Sequence, residues 1–120
     1  MNEKRYNHID LTFLEGFAGG DNEKMVKYIN MFINGAPPMI ETMKQQCADK
    51  SWKQLRTTAH SLKPQAGYMG ANGLKDIFLR IEKYAGEEVN IEAIPGLITE
   101  ADTLSKVALL ELKDAVSNLS

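Results

Sequence analysis

The stretch TTAHSLKPQAGYMGA, residues 57–71, carries a histidine, a lysine, a proline and two glycines in close order. His60 and Lys63 are three apart, so on a helix they are surface neighbours. A neutral imidazole nitrogen is a nucleophile near neutral pH. A nearby ammonium stabilises the charge that develops on a phosphoryl group in transfer. The pair suits phosphoryl acceptance. It equally suits an ordinary exposed histidine with a lysine for solubility, and the spacing taken alone favours that plainer account.

Helical geometry says where these side chains point. Trp52, Leu55, Ala59, Leu62, Ala66 and Met69 recur at steps of three and four and form an apolar seam. His60 falls roughly 130° from the centre of that seam, facing solvent. Arg56 and Gly67 lie within about 40° of it, and Lys63 about 60° away toward the seam. Gly67 is expected to leave open space for an approaching partner.

The elements that must hold this face are helical throughout, because no run of alternating β-branched and aromatic residues occurs. A short helix is predicted over residues 10–17, stopped by Gly19 and Gly20. A long helix follows Asp21, a good N-cap residue. Its stripe is Met25, Ile29, Phe32, Ala36, Ile40, Met43 and Cys47. Pro37 and Pro38 predict a kink there, or a break into two helices. A third helix begins near Ser51. A fourth is expected over residues 72–84, with Leu74, Ile77, Phe78 and Ile81 inward. Gly86, Glu87 and Glu88 read as a loop. The last helix is expected over residues 94–119, with Pro95 in its first turn. Together they predict an all-α fold, an antiparallel up-down-up-down four-helix bundle with a short extra N-terminal helix.

With 120 residues, the chain fits one domain, residues 1–120, with a single core. Hydrophobic residues make up 43% and charged residues 25%, a soluble balance. A net charge of -2, mixed in sign, argues against nucleic acid or an anionic membrane as partner. Cys47 is the only cysteine, so no intrachain disulfide forms and a reducing compartment is expected. No secretory signal or membrane span is apparent, which predicts a cytoplasmic protein. The Met1 start and the full set of helices favour a free-standing protein or an intact terminal domain.

The segment AHSLKPQAGYMGANGLKDIFLRIE, residues 59–82, resembles the signature of histidine-containing phosphotransfer (HPt) domains. His60, Leu62, Lys63, Gly70, Leu74, Ile81 and Glu82 occupy matching places, and Ala66 and Gly67 are similar to the Ala-Gly of the phosphotransfer domain of chemotaxis kinases. The resemblance implies that His60 accepts the phosphoryl group on Nε2 and that Lys63 pairs with the phosphoryl oxygens. It implies that Glu82 hydrogen-bonds the other ring nitrogen, fixing the tautomer; a solvated helix residue is the alternative for Glu82. The chain would be a phosphocarrier, neither kinase nor hydrolase, exchanging phosphate with receiver-domain aspartates or a hybrid sensor kinase. It would need no cofactor, the Mg²⁺ residing in the receiver, and it would act as a monomer.

Pro64 departs from the family pattern, which has glycine or another small residue there. It removes the i+4 donor to the His60 carbonyl, and either reaims His60 or serves as a rigid substitute that leaves the approach open. The continuing register of Leu62 and Ala66 favours the substitute. Arg56 and Pro64 are candidate partner contacts. So are Phe13 and Phe17, although a core position suits these two phenylalanines better. An interaction module that binds receivers without carrying phosphate is the alternative function. A metal-binding bundle lacks the expected Glu-x-x-His pairs, His8 reads as a surface residue, and no hydrolase constellation is visible.

Overall fold

The computed structural model describes residues 6–119 and contains five α-helices, with no strand among those residues. The expected 1–120 unit includes residues 1–5 and 120, which lie outside the described residues. Helices α1 (Thr12–Ala18), α2 (Asn22–Ala48), α3 (Trp52–Tyr68), α4 (Asn72–Glu87) and α5 (Ile94–Leu119) follow one another through short turns. Each long helix packs on its chain neighbour, and α5 closes the ring against α2. This is the up-down-up-down order that short connections impose.

The seams predicted from periodicity are the buried faces, except that Cys47 and Trp52 at their ends are half-buried against the core. Met25, Ile29, Phe32, Ala36, Ile40 and Met43 of α2 are all inside, as are Leu55, Ala59, Leu62 and Ala66 of α3. Burying each large apolar side chain contributes about 1.5–3 kcal/mol against leaving it in water. Ala59, Ala66, Ala101, Ala108 and Ala115 are fully enclosed. Such small residues let helix backbones approach closely, and α3 makes its most extensive contact with α4. That contact sets the distance between the two helices that carry the polar groups described below.

Helix ends follow their local chemistry. Asp21 caps α2, its carboxylate accepting from the backbone N–H of Glu23 (3.0 Å) and Lys24 (3.3 Å). Gly19 ends α1 in the left-handed conformation. Ser51 precedes α3 as expected but makes no side-chain cap hydrogen bond. The fourth helix runs past residue 84 to Glu87, so the predicted loop at Gly86 and Glu87 is helical, and the chain turns at Glu88 and Asn90 with positive φ.

Pro37 and Pro38 do not break α2, which runs unbroken over 27 residues. Both rings lie on the solvent side. The carbonyls they deprive of donors, those of Ile33 and Asn34, are on partly or fully exposed residues that water can reach. The apolar stripe meanwhile continues through Ala36 and Ile40, so packing holds the two halves together. Pro64 is tolerated within α3 in the same way, exposed and with Leu62 and Ala66 still buried.

The segment before α1 straps across the bundle. The backbone N–H of Asp10 donates to the Met69 carbonyl (3.2 Å). Gly70 has φ +66°, and a Cβ there would collide with the Asp10 backbone. The motif glycine is thus a seat for this strap. His8, expected at the surface, is instead half-buried. Its backbone N–H donates to Glu111 Oε1 (2.9 Å) and its Nδ1 lies 2.6 Å from Glu111 Oε2.

Candidate functional site: an imidazole braced from the neighbouring helix

His60 projects from the outer face of α3, with 66% of its side chain exposed, as the helical geometry requires. Its own helix neighbours Ala59 and Leu62 are fully buried, so the ring is held outward by the packing behind it. Across the α3–α4 contact stands Glu82, one residue after the buried Ile81. Its side chain is 15% exposed and reaches both polar groups of α3. Oε2 lies 2.5 Å from His60 Nδ1, and Oε1 accepts from Lys63 Nζ at 2.8 Å.

The charge state of Glu82 decides the tautomer of His60. Burial pushes its carboxyl pKa up, but hydrogen bonds from Lys63 and His60, with their charges, outweigh burial and hold it below the ordinary carboxylate range. An ionised carboxylate only accepts hydrogen bonds. The short contact therefore assigns the proton to Nδ1 and leaves the Nε2 lone pair directed away from Glu82. The unbound face thus presents a nucleophilic nitrogen, with an ammonium one helical turn along the same side.

The remaining candidates divide. Arg56 is exposed and lines an open groove between α3 and α4 together with Lys63, Glu82 and Lys83. Its side chain lies over Gly86, where a Cβ would come within 2.8 Å of Arg56 Cδ. Gly67 does not leave the expected open space. A Cβ there would meet Lys75 Cδ at 3.5 Å, so the room beside Gly67 is taken by a side chain of α4. Pro64 is exposed one turn beyond His60.

Phe13 and Phe17 are not core residues. They are 55% and 63% exposed, and α1 is anchored instead by Leu14 and Ala18. Phe13 stacks on Tyr68 of α3 at 5.6 Å and on Phe17 at 6.3 Å, and Phe17 meets Tyr28 of α2 edge-on at 5.5 Å. With the exposed Met31 they line an apolar concavity beside the lower turns of α3. Tyr68 and Met31 were missed from sequence. Tyr68 was within reach, since it stands two helical turns beyond His60, with Pro64 between them.

A helical bundle of this order with an outward, carboxylate-braced imidazole defines a histidine phosphotransfer module of the kind used in phosphorelays. A family model described as "Hpt domain" matches residues 27–120. The chain belongs to that family. Its fold is similar to the crystal structure of histidine-containing phosphotransfer protein B (HptB) from Pseudomonas aeruginosa PAO1, with a TM-score of 0.86 and 18% identity, over 95% of this chain and 98% of that one. No curated protein matches the chain. Among the described residues, no helix is long and apolar enough to cross a membrane.

Proposed function

We propose that this chain is a phosphocarrier that shuttles a phosphoryl group between His60 and the aspartate of a receiver domain. The observation that carries the reading is the double grip of Glu82 on His60 Nδ1 and Lys63 Nζ, which leaves Nε2 as the outward nucleophile. In transfer from an aspartyl phosphate, the Nε2 lone pair attacks phosphorus. A P–N bond forms, the P–O bond to the aspartate breaks, and its electron pair leaves with the carboxylate. The ring gains positive charge while Nδ1 keeps its proton, and the Glu82 carboxylate stabilises that charge. Lys63, one helical turn from His60 on the same side, turns from Glu82 toward the phosphoryl oxygens. The Mg²⁺ for the reaction belongs to the receiver, and this chain supplies side chains alone. The chain acts as a cytoplasmic monomer. The apolar concavity at Phe13 and Phe17, now exposed, and the Arg56 side of the groove give a receiver surfaces to rest on.

Incubation with a receiver domain phosphorylated with radiolabelled phosphate tests the proposal. The expected result is an acid-labile, alkali-stable label on the parent chain and none on His60→Gln, which should fold normally because the side chain is exposed. Receiver binding without any label on the parent would replace this reading with that of an interaction module.

A further inference from the structure

Pro64 has two consequences that its position beside His60 joins together. It has no N–H, so the donor that would close the His60 carbonyl one turn on is missing. Among the described residues no side chain reaches that carbonyl either, although the next one along, that of Ser61, accepts from Gln65 Nε2 at 3.0 Å. His60 and Pro64 are both exposed, so the carbonyl that lacks its usual i+4 donor lies on the solvent-facing side of α3. The Pro64 ring also continues outward-facing surface from His60 toward Tyr68, which stacks on Phe13. Four residues of helix span about 6 Å, so anything that brings an aspartate to His60 Nε2 also covers Pro64.

We infer that Pro64 is a recognition residue: it turns the His60 backbone carbonyl into a hydrogen-bond acceptor for a receiver domain that offers an N–H beside its phosphorylated aspartate. This rests on the phosphotransfer reading for the identity of the partner. A receiver without that donor would cover a desolvated, unpaired carbonyl, which is penalised on binding. The contact favours one class of receiver over another without touching the phosphorus.

The test uses Pro64→Ala and Pro64→Val. Both restore the N–H and close the carbonyl, and Val retains apolar bulk. Receiver domains encoded in the same genome are first titrated against the parent chain, and the tightest binder is carried forward. Both variants should bind it roughly three- to tenfold more weakly, the loss expected for one hydrogen bond. Both should also melt at higher temperature than the parent, so weaker binding cannot be ascribed to unfolding. In labelling experiments the loss should fall on KM rather than kcat. Parent-like affinity in either variant would overturn the inference. A parent chain that takes no label from phosphoramidate or from any receiver would instead overturn the phosphotransfer reading, while the titration still reads the Pro64 contact.

Discussion

His60 and Glu82 sit on antiparallel neighbouring helices with Nδ1 and Oε2 2.5 Å apart, and the carboxylate of that pair also holds Lys63. Glu82→Gln keeps the shape and removes the charge. The amide can donate as well as accept, so Nδ1 is no longer obliged to carry the proton. Phosphoryl transfer to His60 should slow by about tenfold, as for loss of an outer-shell carboxylate. Imidazole nitrogen shifts by NMR should show a mixture of tautomers where the parent shows one. A single unchanged tautomer would remove Glu82 from its positioning role.

The same carboxylate makes stability depend on pH. Its folded pKa is depressed below the ordinary 4.5, so its contribution is fully present above that value and is lost as pH falls through the lower folded value. Asp102, depressed by Lys44 and Lys106 despite its own burial, acts in the same direction. Acid unfolding followed by circular dichroism should therefore show stability falling below about pH 4.5. Glu82→Gln should flatten part of that fall, and Asp102→Asn a separate part, since the two lie in different ion-pair clusters.

Lys63→Ala should leave the bundle folded, because the side chain bridges to Glu82 at the surface of the α3–α4 contact rather than filling the core. Removing the ammonium should slow transfer by about tenfold or more. Single-turnover labelling from a phosphorylated receiver measures it. An unchanged rate would mean the lysine serves only to hold Glu82.

Much of this site is legible in the sequence. The outward placement of His60 followed from the α3 seam, because Leu55, Ala59, Leu62 and Ala66 recur at helical spacing and nothing else competes for that face. Glu82 opposite His60 came only from family resemblance, since register between two helices depends on how side chains interlock. Phe13 and Phe17 read from the sequence as partner contacts or, more readily, as core residues; the core alternative fails because a seven-residue helix has one face to bury, and Leu14 and Ala18 occupy it. Pro37 and Pro38 read as a kink or a break on local propensity; the break does not occur, because tertiary packing of the α2 stripe overrides propensity. The His8–Glu111 tie spans 103 residues of sequence and leaves no local pattern. Gly70 was read as a motif position, and its steric reason appears only once Asp10 is laid against it.

That last pairing yields a prediction about the strap. Gly70→Ala combines a positive φ with a Cβ directed onto the Asp10 backbone. The strap must lift or the turn between α3 and α4 must shift, at a cost of about 1–3 kcal/mol. Thermal melts should show the loss. Hydrogen exchange should show it concentrated at the Asp10 amide and in α1, with the core of α2 and α5 still protected. Loss spread evenly over all helices would place the strain elsewhere.

The exposed aromatic cluster separates recognition from stability. Phe13→Ser and Phe17→Ser remove side chains that are more than half exposed but stack on Tyr68 and Tyr28, so each should cost about 1–2 kcal/mol and leave the bundle folded. If a receiver rests on this concavity, either variant should weaken its binding by about five- to thirtyfold, the range of a contact worth one to two kcal/mol. Labelling of His60 by a small phosphodonor such as phosphoramidate bypasses docking and supplies the reference rate. Titration of the receiver against each variant decides the matter. A clear loss of affinity in a chain that circular dichroism shows fully folded at the titration temperature would place the docking surface on α1 and Tyr68. Unchanged affinity would move it to the Arg56 side of His60, along the groove shared with Lys63 and Lys83.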